Sequence, residues 1–215
     1  TGQSVVPNPA YVQTGPPPKT STGAGRQLAS LNLQNFPGFA HPRGLALPYY
    51  QSRQQIGNFL FVADQTNNKL HALNSNTMET ITSLKLPDPR GLGLTADLTT
   101  LFVSNEGDSS VSMVHAHPRH ASTFMTEIKR IKVATGPRAV GCDPDGEDVF
   151  VLNYAANSIS ILNQTTGNVR KTLISNGIDR PYDMAVGMRE YVGGPAYQSG
   201  TFHGYVANFG GERFG

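Results

Sequence analysis

Apolar and polar residues alternate along this chain in short runs, each closed by a turn-forming cluster, and residues 137–180 show the scheme most plainly. Arg138-Ala139-Val140-Gly141-Cys142 reads as a first short strand, and Asp143-Pro144-Asp145-Gly146 as the turn after it. Proline sets φ where such a turn opens, and glycine accepts the positive φ that closes it. Val149 to Asn153 is a second strand, β-branched and aromatic in content. Tyr154-Ala155-Ala156-Asn157 turns the chain into Ser158-Ile159-Ser160-Ile161-Leu162, a third strand with Ile159 and Ile161 on one face. After Asn163-Gln164-Thr165-Thr166-Gly167 comes a fourth, Val169 to Ile174. Earlier stretches follow the same plan, with Val111 to Val114 and Glu127 to Val133, and before them Lys69 to Leu73 and Glu79 to Leu86, as third and fourth strands. Almost no helix is expected. Phe102, Val103, Phe150, Val151, Ile159, Ile161, Tyr205 and Val206 are expected to be buried between sheets.

The scheme is a repeat. Phe61-Val62-Ala63-Asp64, Phe102-Val103-Ser104-Asn105, Phe150-Val151-Leu152-Asn153 and Tyr205-Val206-Ala207-Asn208 each set an aromatic residue and a valine before a closing Asn or Asp. In step with them run Pro42-Arg43-Gly44-Leu45, Pro89-Arg90-Gly91-Leu92, Pro137-Arg138-Ala139-Val140 and Pro181-Tyr182-Asp183-Met184, at spacings of 47, 48 and 44 residues. A period in the forties, built of short strands and tight turns, points to the four-stranded antiparallel blades of an all-β β-propeller.

Composition narrows the picture. Charged residues make up 15% of the 215, against roughly 25% in an average soluble domain. A net charge of +2 offers no electrostatic footprint for nucleic acid or an anionic membrane. No apolar run approaches the roughly 18 residues of a membrane-spanning helix. Cys142 is the only cysteine, which excludes an intrachain disulfide, a cysteine-based zinc site and a CxxCH haem attachment. A low-charge, low-cysteine, β-rich chain suits an extracytoplasmic protein: secreted, periplasmic or on the cell surface. Residues 1–25, rich in Pro and Gly, read as an extended arm or the remnant of an earlier blade, with Arg26 to Leu33 as that blade's fourth strand.

The aromatic-Val-x-Asn strands, the Asp143-Pro144-Asp145-Gly146 turn ahead of one of them, and the following Val111-Ser112-Met113-Val114 and Ser158-Ile159-Ser160-Ile161 strands resemble the YVTN-type β-propeller repeat family. The likeness covers residues 26–215 and departs at two expanded loops, Pro48 to Asn58 and Gly187 to His203. It implies a seven-bladed ring, of which about 3.5–4.5 blades lie in this chain. The last repeat supplies only two strands. The expectation is an open edge after Asn208, covered by further residues of the same molecule, by another chain, or by the N-terminal segment.

In a propeller the first strand of each blade lines a central channel, which brings Arg43, Arg90, Arg138 and Tyr182 to its mouth. Asp64, Asn105, Glu106, Asn153 and Tyr154 are expected around them, with Asp108 and Asn208. Guanidiniums converging in a concave site favour carboxylate or phosphate through bidentate pairing, so a small anionic ligand is one reading. The other is that each arginine pairs with acidic or carbonyl groups of adjoining blades. The Asn or Asp that closes each motif reads as a turn former bonding the next backbone amides. His115, His117 and His120 are weak candidates for a metal and read better as solvated loop residues. Asp143, Asp145, Glu147 and Asp148 make an acidic run too short for a full calcium loop. Asn163-Gln164-Thr165 fits an N-glycosylation acceptor, a triplet frequent by chance, and Cys142 reads as a buried small hydrophobe. GxSxG, Walker, GxGxxG and HExxH motifs are absent from the sequence. No catalytic residue, metal or cofactor is assigned.

These features favour a non-catalytic binding scaffold whose partner is a protein, or further blades of the same propeller. Two other readings stay open: a structural subunit of a large extracellular assembly, and a propeller enzyme of the lactonase or periplasmic oxidoreductase type with its active site at the channel mouth.

Overall fold

The structure, a computed structural model, describes residues 42–46, 59–75, 77–118, 121–188 and 202–210. The N-terminal arm, the strand expected at 26–33, the loop at 48–58 and most of the loop at 187–203 lie outside these residues. Fourteen strands are described. Strands β1 (Pro42–Ala46), β2 (Phe59–Asp64), β3 (Lys69–Asn74) and β4 (Thr80–Lys85) form one sheet. A second comprises β5 (Pro89–Leu94), β6 (Thr100–Asn105), β7 (Ser110–His115) and β8 (Glu127–Lys132). A third comprises β9 (Pro137–Cys142), β10 (Asp148–Asn153), β11 (Ser158–Asn163) and β12 (Val169–Ile174), and β13 (Pro181–Met188) pairs with β14 (Phe202–Asn208) alone. Each sheet is an antiparallel meander with strands in chain order. The one helical element among the described residues is a single 3-10 turn at Glu106–Asp108.

The registers repeat as closely as the sequence does. Pro42 pairs with Asp64, Pro89 with Asn105, Pro137 with Asn153 and Pro181 with Asn208, and in every case the ladder slips immediately afterwards. Each first strand therefore opens on a β-bulge, and Arg43, Arg90, Arg138 and Tyr182 occupy it. A bulge twists the strand and re-aims its side chain out of the ladder.

The sheets pack face to face. Phe61, Leu70 and Leu86 of the first meet Leu101, Val103 and Val114 of the second, all nearly inaccessible to solvent. Phe102, Val111 and Ile131 on the opposite face of the second sheet meet Val140, Val149, Val151 and Leu162 of the third. The motif aromatics Phe61 and Phe102 thus look forward, toward the next sheet, while the valines Val103 and Val151 look back. Phe102, Val103, Val151 and Ile159 are buried as the repeat predicts. Phe150, Ile161 and Val206 are half-buried, and Tyr205 is 67% exposed, against expectation. The reason is geometric. Beyond the third sheet stand only β13 and β14, and no described strand pairs with the outer edge of β14 or packs over its forward face.

First strands pack against first strands, β1 on β5, β5 on β9 and β9 on β13. The spacing is so short that a Cβ on Gly44 would overlap the Arg90 carbonyl oxygen, and one on Gly91 the Arg138 carbonyl oxygen. That close approach is why glycine follows arginine in the first two repeats. Ser104, buried at the back of β6, ties the same strands together: it accepts from the Gly91 amide at 2.8 Å and donates to the Arg138 carbonyl at 2.7 Å. The connections between sheets are held by turn asparagines. Asn68 Oδ1 accepts from the Asp88 amide (2.7 Å) and Asn157 Oδ1 from the Arg180 amide (2.8 Å), each just ahead of the proline that opens the next sheet.

Candidate functional site

The four bulges converge. Arg43, Arg90, Arg138 and Tyr182, with Asp183 beside them, line a concavity of about 310 Å³ at the head of the first strands. What each bulge residue touches follows a rule the sequence does not announce. The residue immediately after the motif Asn or Asp (Gln65, Glu106, Tyr154 or Phe209) lies beside the bulge residue of its own sheet. Arg43 Nε donates to Gln65 Oε1 at 2.7 Å. Arg90 Nε is ion-paired with Glu106. The Arg138 guanidinium lies 3.7 Å above the Tyr154 ring. The Tyr182 and Phe209 rings pack at a 33° tilt with centroids 5.9 Å apart.

Neighbouring pairs are linked in turn. Glu106 also reaches Arg138 at 3.5 Å, so one carboxylate serves two guanidiniums. Tyr154 meets Tyr182 edge-on and Phe209 at a tilt, both at 6.2 Å. Arg180 covers Phe209 at 5.7 Å. Across the wall the character grades from an exposed cation, through an ion-pair network, to aromatic rings. Arg138 follows the pairing expected with an adjoining sheet, and Arg90 is paired as well, with a carboxylate of its own sheet. Arg43 differs: it is exposed, and its partner among the described residues is the neutral Gln65.

Of the residues expected at the mouth, Glu106 and Tyr154 stand there with the bulge residues. Asp64, Asn105 and Asn153 do not line it; they are fully buried within their sheets. The turn-former reading holds for Asp64, which accepts from the Asn67 backbone amide at 3.4 Å and from its side chain at 2.8 Å. It does not hold for the asparagines. A strand's last residue faces the buried flank beside the third strand, where two serines wait. Asn105 Nδ2 bonds the Ser110 and Ser112 hydroxyls at 3.0 and 2.8 Å. The Asn153 amide lies 3.1 and 2.9 Å from Ser158 and Ser160, and with its oxygen toward them its NH2 donates to the Ala134 carbonyl at 3.2 Å. Asn208 donates to the Gly177 carbonyl at 2.7 Å. Asn153 and Asn208 thus pin their sheets to the connections entering them, while Asn105 ties the second strand to the third. Gln65, Asp183 and Phe209 were missed; their signal is position, one residue after a motif or two after a repeat proline.

The first sheet departs from this polar pattern. Where the others have Asn with Ser112 or Ser160, it has Asp64 with His71, 3.6 Å apart, and His71 Nδ1 lies 2.8 Å from Ser83 Oγ. Burial pushes the His71 pKa below its ordinary value despite the opposing pull of Asp64. A depressed histidine pKa means the unfolded chain takes up a proton that the folded chain refuses. Its contribution to stability is complete above about pH 6.5 and falls away as pH drops through the lowered folded value. Urea midpoints measured between pH 7.5 and 5, values of about neutral and mildly acidic pH, are expected to decline. The double replacement Asp64→Asn/His71→Ser, which installs the pair used by the other sheets, should flatten the decline. Equal slopes in both proteins would remove His71 as its source.

The remaining candidates fall elsewhere. His115 ends β7 away from the bulges, His120 lies outside the described residues, and no group of three or more His, Cys, Asp or Glu able to hold a metal occurs among the described residues. In the acidic run, Asp143 accepts from the Asp145 amide as a turn and Asp148 pairs with Arg170 at 2.8 Å. Asn163 Oδ1 accepts from the Thr166 amide at 2.8 Å, closing the turn between β11 and β12. Burial, with Asp143 and Asp97 adding to it, pushes the Cys142 thiol up to about 12, which keeps it protonated and poorly nucleophilic.

No protein-family model matches the chain, and no curated protein is similar to it in sequence. Solved structures do match. Hydrazine synthase of Kuenenia stuttgartiensis aligns with 78% of this chain and 49% of its own at 19% identity and a TM-score of 0.57. A chain of the nidogen–laminin complex aligns over 68% and 52% at 16% identity and 0.51. A candidate 6-phosphogluconolactonase of Bacteroides uniformis aligns over 65% and 41% at 17% identity and 0.53. The chain spans about half the length of the structures it matches. At these identities the likeness concerns the fold, and the fold is that of the β-propellers: almost all β, in consecutive four-stranded antiparallel sheets.

Proposed function

We propose that this chain belongs to a YVTN-type propeller acting outside the cytoplasm as a non-catalytic scaffold, and that it binds a protein partner at the mouth formed by the four bulges. The observation that carries this reading is the rim made by Arg138, Tyr154, Tyr182 and Phe209. Tyr182 and Phe209 are 45% and 66% exposed, yet they are held against each other, with Arg138 5.4 Å from the Tyr182 ring and Arg180 5.7 Å from the Phe209 ring. Rigid, exposed Tyr and Arg on a fixed sheet scaffold are the side chains that anchor protein interfaces, since they bury much area for few frozen torsions. The seven-bladed ring that the resemblance to YVTN-type propellers implies is consistent with a chain that spans about half of its structural matches. The presence of a nidogen–laminin complex among those matches supports protein recognition as a use of this architecture. It does not discriminate further, because function sits in sites grafted on the fold.

The test is selection of a displayed random-peptide library on the full-length protein. Selected peptides are expected to lose about tenfold or more in affinity on Tyr182→Ala, as a central aromatic anchor requires. Selected peptides that bind Tyr182→Ala undiminished would reject the mouth as the binding surface. Fractionation of cells making the native protein tests its place; recovery with soluble cytoplasmic markers would reject export.

A further inference from the structure

The grading of the wall specifies what the partner presents. Arg90 and Arg138 share Glu106, and Asp88 stands 3.9 Å from Arg90, so these two cations are already countered. Arg43 is exposed and held by a neutral amide, whose oxygen fixes the guanidinium without cancelling its charge. At the other end the rings of Tyr182 and Phe209 offer apolar area to solvent. The concavity of about 310 Å³ joins the two ends, its floor formed by the closely packed first strands at Gly44, Gly91 and Ala139.

Resting on the binding role proposed above, we infer that the mouth takes an acidic peptide segment in which a carboxylate pairs with Arg43 and an aromatic side chain packs on Tyr182 and Phe209. Asp or Glu oxygens match the planar fork of Arg43 bidentately, which a neutral amide cannot do. Asp183, on the aromatic side of the concavity, sets the polarity. It repels a carboxylate from the Tyr182 end, where Arg138 and Arg180 already face Glu106 at 3.5 Å and Asp179 at 3.8 Å, so Arg43 is the favoured place for the acidic residue.

Two synthetic peptides test this on the full-length protein: acetylated, amidated peptides of alternating Glu and Phe, and their counterparts with Gln for Glu. Calorimetric titration at low and at physiological ionic strength is expected to show the Glu–Phe peptide binding about tenfold or more tightly than the Gln–Phe peptide, with the margin shrinking as salt rises. Arg43→Gln should abolish that margin while leaving the Gln–Phe peptide unaffected, and Tyr182→Ala should weaken both peptides alike. Arg43 is exposed, so its replacement leaves the core intact, and an unchanged melting temperature verifies it. Equal affinity for the two peptides on the unmodified protein overturns the acidic specificity even if library peptides still depend on Tyr182. A Glu–Phe preference that survives Arg43→Gln overturns the assignment of Arg43.

Discussion

Phe102→Ala will lower the stability of the protein by about 3–5 kcal/mol, the cost of removing a fully buried phenylalanine from a close-packed interface. Phe102 is inaccessible to solvent and lies with Val111 and Ile131 against Val140, Val149 and Leu162 of the next sheet. Neighbouring sheets touch chiefly through such faces, so the cavity opens in the seam that couples one repeat to the next. Few groups in that seam can collapse into it, because the strands on both sides are fixed by their own ladders. Urea unfolding of the full-length protein should show the midpoint falling by the corresponding amount with the slope kept. A loss below about 1 kcal/mol would mean that the second and third sheets are not packed as described.

Gly91→Ala will cost about 1–3 kcal/mol, at the upper end of that range, for one added methyl group. The methyl has nowhere to go: it meets the Arg138 carbonyl oxygen, backbone rather than a flexible side chain. β5 and β9 must part, and the Ser104 hydroxyl that spans them loses its grip on the Gly91 amide or the Arg138 carbonyl. Ala139, which follows the arginine in the next sheet, is the control. Ala139→Gly restores the residue of the first two repeats and should cost less than about 1 kcal/mol, through added freedom of the unfolded chain. Thermal melts of the two variants side by side check the pair. A Gly91→Ala protein melting with the unmodified one would refute the tight packing of first strands.

Much of this was legible from residues alone. The doubled repeat gave the strands, their grouping in fours and the convergence of Arg43, Arg90, Arg138 and Tyr182, because identical sequence at an identical phase folds to identical register. What the repeat could not convey were relations across strands. Asn105 and Asn153 look like turn formers in one dimension. Only the pairing of the second and third strands puts Ser110, Ser112, Ser158 and Ser160 within their reach. Gln65, Glu106, Tyr154 and Phe209 have no one side-chain chemistry in common, so nothing marked them as one structural position until the bulges aligned them. Tyr205 erred in the other direction. Its motif is intact, but burial is a property of the neighbouring sheet and not of the strand that carries the ring.

The pairing of each bulge residue with the residue after its motif spells the mouth in two-letter words, Arg–Gln, Arg–Glu, Arg–Tyr and Tyr–Phe, the last three touching their neighbours through Glu106 and Tyr154. Core, ladder and clip residues lie elsewhere in the repeat, so a word can be rewritten without respelling the fold. Selection could therefore retune such a surface one blade at a time, by substitutions that leave folding untouched. Two propellers with the same skeleton and nearly the same interior could then face entirely different partners.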